Sequence, residues 1–355
     1  MENEKILFMN PPYLMKENHV VYKDQGGGIG FTKLGDVHKA KKRPILDMLY
    51  SVQICEDAGF SVDIHDDQYS PSSTMESFIS KINNIKDYKY IFIRTSLPTI
   101  YNDIVVSKEL KRMTDGLQKV CIFGPAVINN LNWFKKYPEA FDAVVTSEMT
   151  AVVKDLVLID TNKSMEGKLL SSLPGCYESI KGELVCSEPS PIQVDIKTLP
   201  FLPYHRNMFH DYDKYIISSQ GCPIGCSYCP YIVSQGLKFR TRDTMKVVDE
   251  MEYYDKELGI KFVMFRDPNF GFNNSRVIDI CSEIIRRGLT ITWGCETVIA
   301  TMKNDVIEMM GKANCIAMSF GVESLSEEVL KNYDRPVKLA AQSKLTEKVN
   351  KCLSS

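Results

Sequence analysis

The 355-residue chain has a formal net charge of −2 and is 44% hydrophobic and 25% charged, the make-up of a globular protein with room for more than one core. That balance excludes a basic footprint for nucleic acid or an anionic membrane, and no apolar run reaches the roughly 18–20 residues of a transmembrane helix. The opening MENEKILFMN puts charges where a signal peptide has its apolar stretch, so a cytoplasmic location is expected, with neither nucleic acid nor membrane as partner.

Strand and helix patterns alternate through the first part of the chain. Lys5–Asn10 reads as a strand stopped by Pro11 and Pro12, residues 45–58 as a helix ending at Gly59, and 60–65 as a second strand. A helix over 75–85, a strand over 90–94, a helix over 103–113, short strands over 120–123 and 143–146, and a helix over 150–158 complete the series. Such alternation implies a doubly wound parallel sheet covered on both faces, with ligands beyond the carboxyl ends of its strands. Those ends are residues 10–13, 65–68, 94–99, 124–126 and 146–148. Gly26, Gly27, Gly28 and Gly30 read as a flexible loop, since their spacing is not G-x-G-x-x-G and no helix follows at once.

Prolines break up residues 161–214, which read as a linker containing a hairpin that turns at Lys181 and Gly182. Cys176 and Cys186 read as ordinary hairpin residues. Alternation then resumes: strands over 215–219, 260–265, 289–293 and Cys315–Phe320, with helices over 247–258, 275–287, 305–310, 326–332 and 338–353.

Eleven cysteines are many for a reducing compartment, and three of them, Cys222, Cys226 and Cys229, stand together as C-x-x-x-C-x-x-C just after a strand. Gly221 and Gly225 let the loop bend, and Pro223 and Pro230 stiffen it. Thiolates at this spacing suit an iron–sulfur core, and a fourth local cysteine is missing, which leaves one iron open. A structural zinc site would want a fourth local Cys or His; His205 and His210 stand at no zinc-finger spacing.

The three cysteines, with Tyr228 before the last, resemble the signature of the radical S-adenosylmethionine (SAM) superfamily. The resemblance implies a [4Fe–4S] cluster whose open iron chelates SAM, reductive cleavage to a 5′-deoxyadenosyl radical, and hydrogen abstraction from a small-molecule substrate. A reducing donor such as flavodoxin or ferredoxin would supply the electron. The segments 265–270, 293–297 and 320–324 resemble the family's SAM-contacting strand ends, which assigns Tyr228, Asp267, Glu296, Ser319 and Glu323 to SAM. Val298 and Gln220 depart from the pattern, where relatives carry arginine. The second half, residues 215–355, is then expected to be a partial TIM-like β/α barrel with four strand–helix units where the family core has six. That expectation reads the chain as a fragment or truncated product with weak cluster binding or turnover.

A Rossmann-like first domain (1–160), a linker (161–214) and the cysteine-bearing core resemble the cobalamin-binding branch of the superfamily. Its cofactor loops would fall on Asn10, Pro11, Pro12 and Tyr13; on Ser96, Leu97 and Thr99; on Gly124, Pro125 and Ala126; and on Ser147 and Glu148. Asp63-Ile-His65 is similar to a D-x-H-x-x-G motif, but Gln68 replaces its glycine and it follows the second strand, so His65 is read as a strand-end residue and not a cobalt ligand. The resemblance implies methyl transfer or related radical chemistry. The alternatives are a radical SAM enzyme whose first domain binds substrate or partner without cobalamin, and a non-catalytic iron–sulfur or zinc protein.

Overall fold

The computed structural model describes residues 5–13, 19–23, 30–34, 41–72, 74–82, 84–159, 169–324 and 326–335. The chain divides into two compact units, residues 1–195 with 199–212, and residues 196–198 with 213–355.

The first unit is built on strands β1 (Lys5–Asn10), β2 (His19–Tyr22), β3 (Phe31–Leu34), β4 (Ser61–Asp66), β5 (Tyr88–Arg94), β6 (Lys119–Phe123), β7 (Ala143–Val145), β8 (Cys176–Ile180) and β9 (Glu183–Val185). Its main helices are α1 (Leu46–Asp57), α2 (Met75–Ile79), α3 (Ile100–Met113), α4 (Leu131–Phe134) and α5 (Met149–Leu158). Ile6, Leu7, Phe8 and Met9 are all buried, as an unbroken apolar run must be when helices cover both faces of a parallel strand. The main sheet runs β4-β1-β5-β6-β7-β8-β9, parallel from β4 to β7. Strand β1 therefore has the second parallel strand on one side and the third on the other, which puts the topological switch point between the carboxyl ends of β1 and β5.

Three features of this unit differ from the sequence expectation. The hairpin within 161–214 does not stand apart as a linker: β8 pairs antiparallel with β7 and β9 with β8, extending the sheet. A second hairpin, β2 with β3, flanks the glycine-rich segment; Gly26, Gly27 and Gly28 lie outside the described residues. Helix α2 is also shorter than its apolar pattern suggested, ending at Ile79.

The second unit comprises β10 (Tyr215–Ile216), β11 (Ser219–Gln220), α6 (Pro230–Gln235), β12 (Arg240–Thr241), α7 (Thr244–Lys256), β13 (Phe262–Phe265), α8 (Asn274–Arg287), β14 (Thr292–Thr297), α9 (Asn304–Lys312), β15 (Cys315–Phe320) and α10 (Glu327–Asn332). Among the described residues its main sheet has four parallel strands, β10-β13-β14-β15, the four strand–helix units expected, with no closure into a barrel among them. Helix α8 shows why these residues fold locally as they do. Asn273 caps its first turn through Arg276 N–H, and Gly288 ends it in the left-handed region at φ 61°. Beneath the sheet, the rings of Phe265, Phe270 and Trp293 pack with centroids 4.8–5.4 Å apart.

Strand β14 runs four residues beyond the 289–293 expected. Gly294, just past the expected end, serves close approach. A Cβ on it would lie 2.9 Å from Met264 Sδ and 3.0 Å from Ala317 Cβ on the flanking strands. The extension carries Glu296 on the strand itself. The helix expected over 338–353 lies outside the described residues. No helix among the described residues is long and apolar enough to cross a membrane.

Candidate functional site

The site in the second unit begins with the segment that delivers the first cysteine. Residues 217–219 are gripped by a buried polar set. Asp267 accepts from Ser218 N at 2.7 Å, Ser218 Oγ at 2.5 Å and Ser219 Oγ at 2.6 Å. Arg276 Nη2 and Arg242 N both donate to the Ser218 carbonyl, at 2.7 and 3.0 Å, and Arg242 also pairs with Glu250 at 2.5 Å. Strands β11 and β12 then pair antiparallel as a short ribbon bracketing the cysteine loop. At its neck Gly221 adopts φ 77°, and a Cβ there would sit 2.1 Å from the Lys238 carbonyl oxygen. Only glycine fits both constraints. Gly221→Ala is expected to strip most of the iron from the reconstituted protein while leaving its far-ultraviolet circular dichroism unchanged; an iron content equal to wild type refutes this.

Cys222, Cys226 and Cys229 line one cavity of about 230 Å³. Cys226 is buried and the other two are half-buried. Burial pushes the Cys222 and Cys229 thiols up, so ligation must release their protons. Among the described residues no three His, Cys, Asp or Glu side chains converge closely enough to hold a single metal ion. Three thiols lining one cavity are a donor set that suits an iron–sulfur core.

The opposite wall comes from the carboxyl ends of β14 and β15. Glu296, Thr297, Val298, Ser319, Phe320, Gly321 and Glu323 all line the cavity, with Pro268 from the end of β13 and Tyr231 from α6. Glu296 pairs with Arg266 and accepts from Tyr231 Oη at 2.9 Å, which ties the helix after the last cysteine to β14. Glu323 adopts a left-handed backbone, φ 63°, which is unusual for a side chain of its size and is the kind of strain that gathers at functional sites. Tyr228 is 42% exposed, and desolvation pushes its hydroxyl up to about 12.

The structure thus brings together Tyr228, Glu296, Ser319 and Glu323 around the three cysteines. It places Asp267 elsewhere: this side chain is fully buried, does not line the cavity, and spends its carboxylate on Ser218 and Ser219. Sequence reasoning missed Arg335, which follows α10. Its guanidinium is buried and donates to Tyr228 Oη at 3.0 Å, to the Gly321 carbonyl at 2.7 Å and to Cys226 Sγ at 3.8 Å. The only hint was a cation beside Pro336, which reads as an ordinary loop charge.

The radical SAM superfamily pattern matches residues 216–352, the span that holds this cavity. The likeness to the radical SAM superfamily thus falls on the second unit. It is 27% identical over 263 residues to an uncharacterized methyltransferase of Pyrococcus horikoshii, covering 72% of this chain and 56% of that protein. It is 26% identical over 217 residues to the anaerobic magnesium-protoporphyrin IX monomethyl ester cyclase of Rubrivivax gelatinosus, covering 57% of this chain and 37% of that one. Among solved structures it resembles the radical SAM methyltransferase TsrM of Kitasatospora setae, with cobalamin and a [4Fe–4S] cluster bound. The TM-score is 0.73 at 16% identity, covering 99% of this chain and 67% of that one. The cobalamin-dependent radical enzyme OxsB matches with TM-score 0.70 at 15% identity, covering 94% and 46%. These likenesses show a shared fold; the chain spans about half the length of the Pyrococcus relative.

In the first unit the residues expected to meet cobalamin separate into two groups. At the switch point, Asn10 Oδ1 and Thr95 Oγ1 are buried without a hydrogen-bond partner among the described residues, Leu97 is 52% exposed and Tyr13 is half-buried. Unspent polar atoms beside an exposed apolar side chain fit a large amphipathic cofactor. The second group is spent on the scaffold. Pro12 accepts from Asn102 at 2.8 Å. The Ser96 and Thr99 hydroxyls bond each other at 3.0 Å, and Thr99 donates to Asp103 at 2.6 Å. Gly124, at φ 138°, lets the end of β6 approach Thr95 closely, since a Cβ there would lie 2.5 Å from the Thr95 carbonyl oxygen; Pro125 and buried Ala126 follow. Ser147 donates to the Pro174 carbonyl at 2.6 Å and Glu148 accepts from Val194 N at 2.8 Å, so both hold the extra hairpin and its flank. His65 bonds the Phe78 carbonyl at 2.9 Å and stacks on that ring, with burial lowering its pKa.

Proposed function

We propose that this chain cleaves SAM reductively at a [4Fe–4S] cluster held by Cys222, Cys226 and Cys229. The observation that carries the reading is the single cavity in which the three cysteines face Glu296, Ser319, Glu323 and Arg335. The cluster, when bound and reduced by one electron from a flavodoxin- or ferredoxin-type donor, supplies the electron that breaks the sulfur–carbon bond of SAM and releases the 5′-deoxyadenosyl radical.

The chain's own residues do the rest. Glu296 offers a carboxylate for the SAM ammonium, held in place by Arg266 and Tyr231. Arg335 is the one cation among the described cavity-lining residues and suits the SAM carboxylate. Glu323 and Ser319 present oxygens at the end of β15 that suit ribose hydroxyls, and Tyr228 offers an aromatic face to adenine. We further propose that the first unit binds cobalamin at the switch point between β1 and β5. A methyl carrier there would direct the chemistry to methyl transfer, or to a related radical reaction, on a small-molecule metabolite.

Anaerobic reconstitution with iron and sulfide tests the reading. The expected result is a brown protein whose reduced-cluster EPR signal changes on adding SAM and which forms 5′-deoxyadenosine with dithionite. A spectrum indifferent to SAM overturns it. Added cobalamin retained through gel filtration supports the second proposal; its complete loss removes cobalamin and leaves a radical SAM enzyme whose first unit has another ligand.

A further inference from the structure

Arg335 is more than a cation on the cavity wall. Its Nη1 reaches the thiol of Cys226 at 3.8 Å and Tyr228 Oη at 3.0 Å, while Nη2 is anchored on the Gly321 carbonyl at 2.7 Å. The side chain is 6% exposed, and its Nε is buried with no hydrogen-bond partner among the described residues. One planar group thus joins the cysteine loop to the end of β15 and still has a donor unspent.

We infer that Arg335 tunes the cluster electronically, as an N–H donor to the Cys226 sulfur and as a buried positive charge that favours the one-electron-reduced state. This rests on the proposed function, since it needs a cluster on Cys226. The physical reason is direct. Reduction adds one electron and one unit of negative charge to a core already ringed by thiolates. The cavity wall adds Glu296, whose charge Arg266 offsets, and Glu323, whose carboxylate disfavours a further negative charge. A guanidinium in a partly desolvated site opposes that repulsion more strongly than it would in water. Hydrogen bonds to cluster sulfurs, net charge and solvent exposure are the levers that set iron–sulfur potentials. The Gly321 anchor fixes the guanidinium, so both effects are built in before SAM arrives. Arg335 acts here through Cys226 and is a positioning residue for the electron-accepting step: the cluster takes one electron from the external donor, and no proton or ligand need move.

The test is an EPR-monitored redox titration of the reconstituted full chain without SAM, comparing wild type with Arg335→Met and Arg335→Lys. At the potential that half-reduces the wild-type cluster, Arg335→Met is expected to hold about a tenfold lower ratio of reduced to oxidised cluster, a negative shift of about 59 mV for one electron. Arg335→Lys keeps the charge and loses the anchored fork, so its shift is expected in the same direction and smaller. Where Arg335→Met loads no cluster, Arg335→Lys carries the test alone. A merely structural arginine would lower iron content and leave the midpoint of the remaining clusters in place. Midpoints equal to wild type in every variant that loads a cluster therefore overturn the inference. A wild-type chain that assembles no cluster overturns the proposed function, and the inference with it.

Discussion

Replacing Cys222, Cys226 and Cys229 together by alanine is expected to give a colourless, iron-free protein that forms no 5′-deoxyadenosine, at almost unchanged fold stability. The thiolates are the ligands through which the loop would hold an iron–sulfur core, so the loss of binding should be complete. The fold should survive because the loop is held by other bonds. Cys222 N donates to the Gly236 carbonyl at 3.2 Å, Ser227 N to the Tyr333 carbonyl at 3.2 Å and Gly221 N to Gln235 Oε1 at 3.1 Å. None of these uses a sulfur. Two of the three side chains are only half-buried, so their truncation should cost about 1 kcal/mol or less each. Each single alanine variant should also lose most of its iron, since a core with three protein ligands has no spare one. Iron analysis, the visible spectrum and product analysis check this against thermal melts of the same samples. Iron and SAM cleavage retained in the triple variant would end the proposed function.

What the sequence disclosed depended on whether a residue's role was local. The cysteine loop was legible because its ligands, glycines and prolines lie within ten residues, Gly221 to Pro230, and their spacing carries the chemistry by itself. The parallel strands were legible for the same reason: continuous apolar runs such as Ile6 to Met9 suit only an element buried on both sides. Long-range roles were not. Arg335 reaches Cys226 across 109 positions, and nothing near either residue announces the contact. The hairpin at β8 and β9 looked like a linker because prolines surround it; its pairing to β7 is decided by the end of that strand, where Thr146 donates to the Gly175 carbonyl. Strand β14 runs past the 289–293 expected, and the pattern cannot show that the missing side chain of Gly294 makes room for Met264 and Ala317.

Asp267→Ala should be the most damaging single change in the second unit, and it separates the two roles this carboxylate could have. A SAM ligand would face the cavity, and its removal would weaken SAM binding while sparing the fold. Instead Asp267 is fully buried and takes three hydrogen bonds from Ser218 and Ser219, the residues directly before the cysteine loop. Arg276, 5% exposed, owes its tolerable burial to this negative charge: desolvation lowers its pKa, and Asp267 is the group that raises it again. Removing the carboxylate leaves a buried cation whose Nε and Nη1 already have no hydrogen-bond partner among the described residues. Leaving the buried Ser218 N–H and the two serine hydroxyls without their acceptor costs about 1–3 kcal/mol for each donor that finds no other partner, a large share of what holds a domain together. The expected outcome is a melting temperature lowered by many degrees, with cluster loading falling in step because the strand that presents Cys222 loses its grip. Asp267→Asn keeps an acceptor for Ser218 N–H and loses the charge, so it should fall between wild type and alanine in both readouts. An Asp267→Ala protein that melts like wild type and differs only in SAM affinity would return the residue to the cavity and refute the structural role.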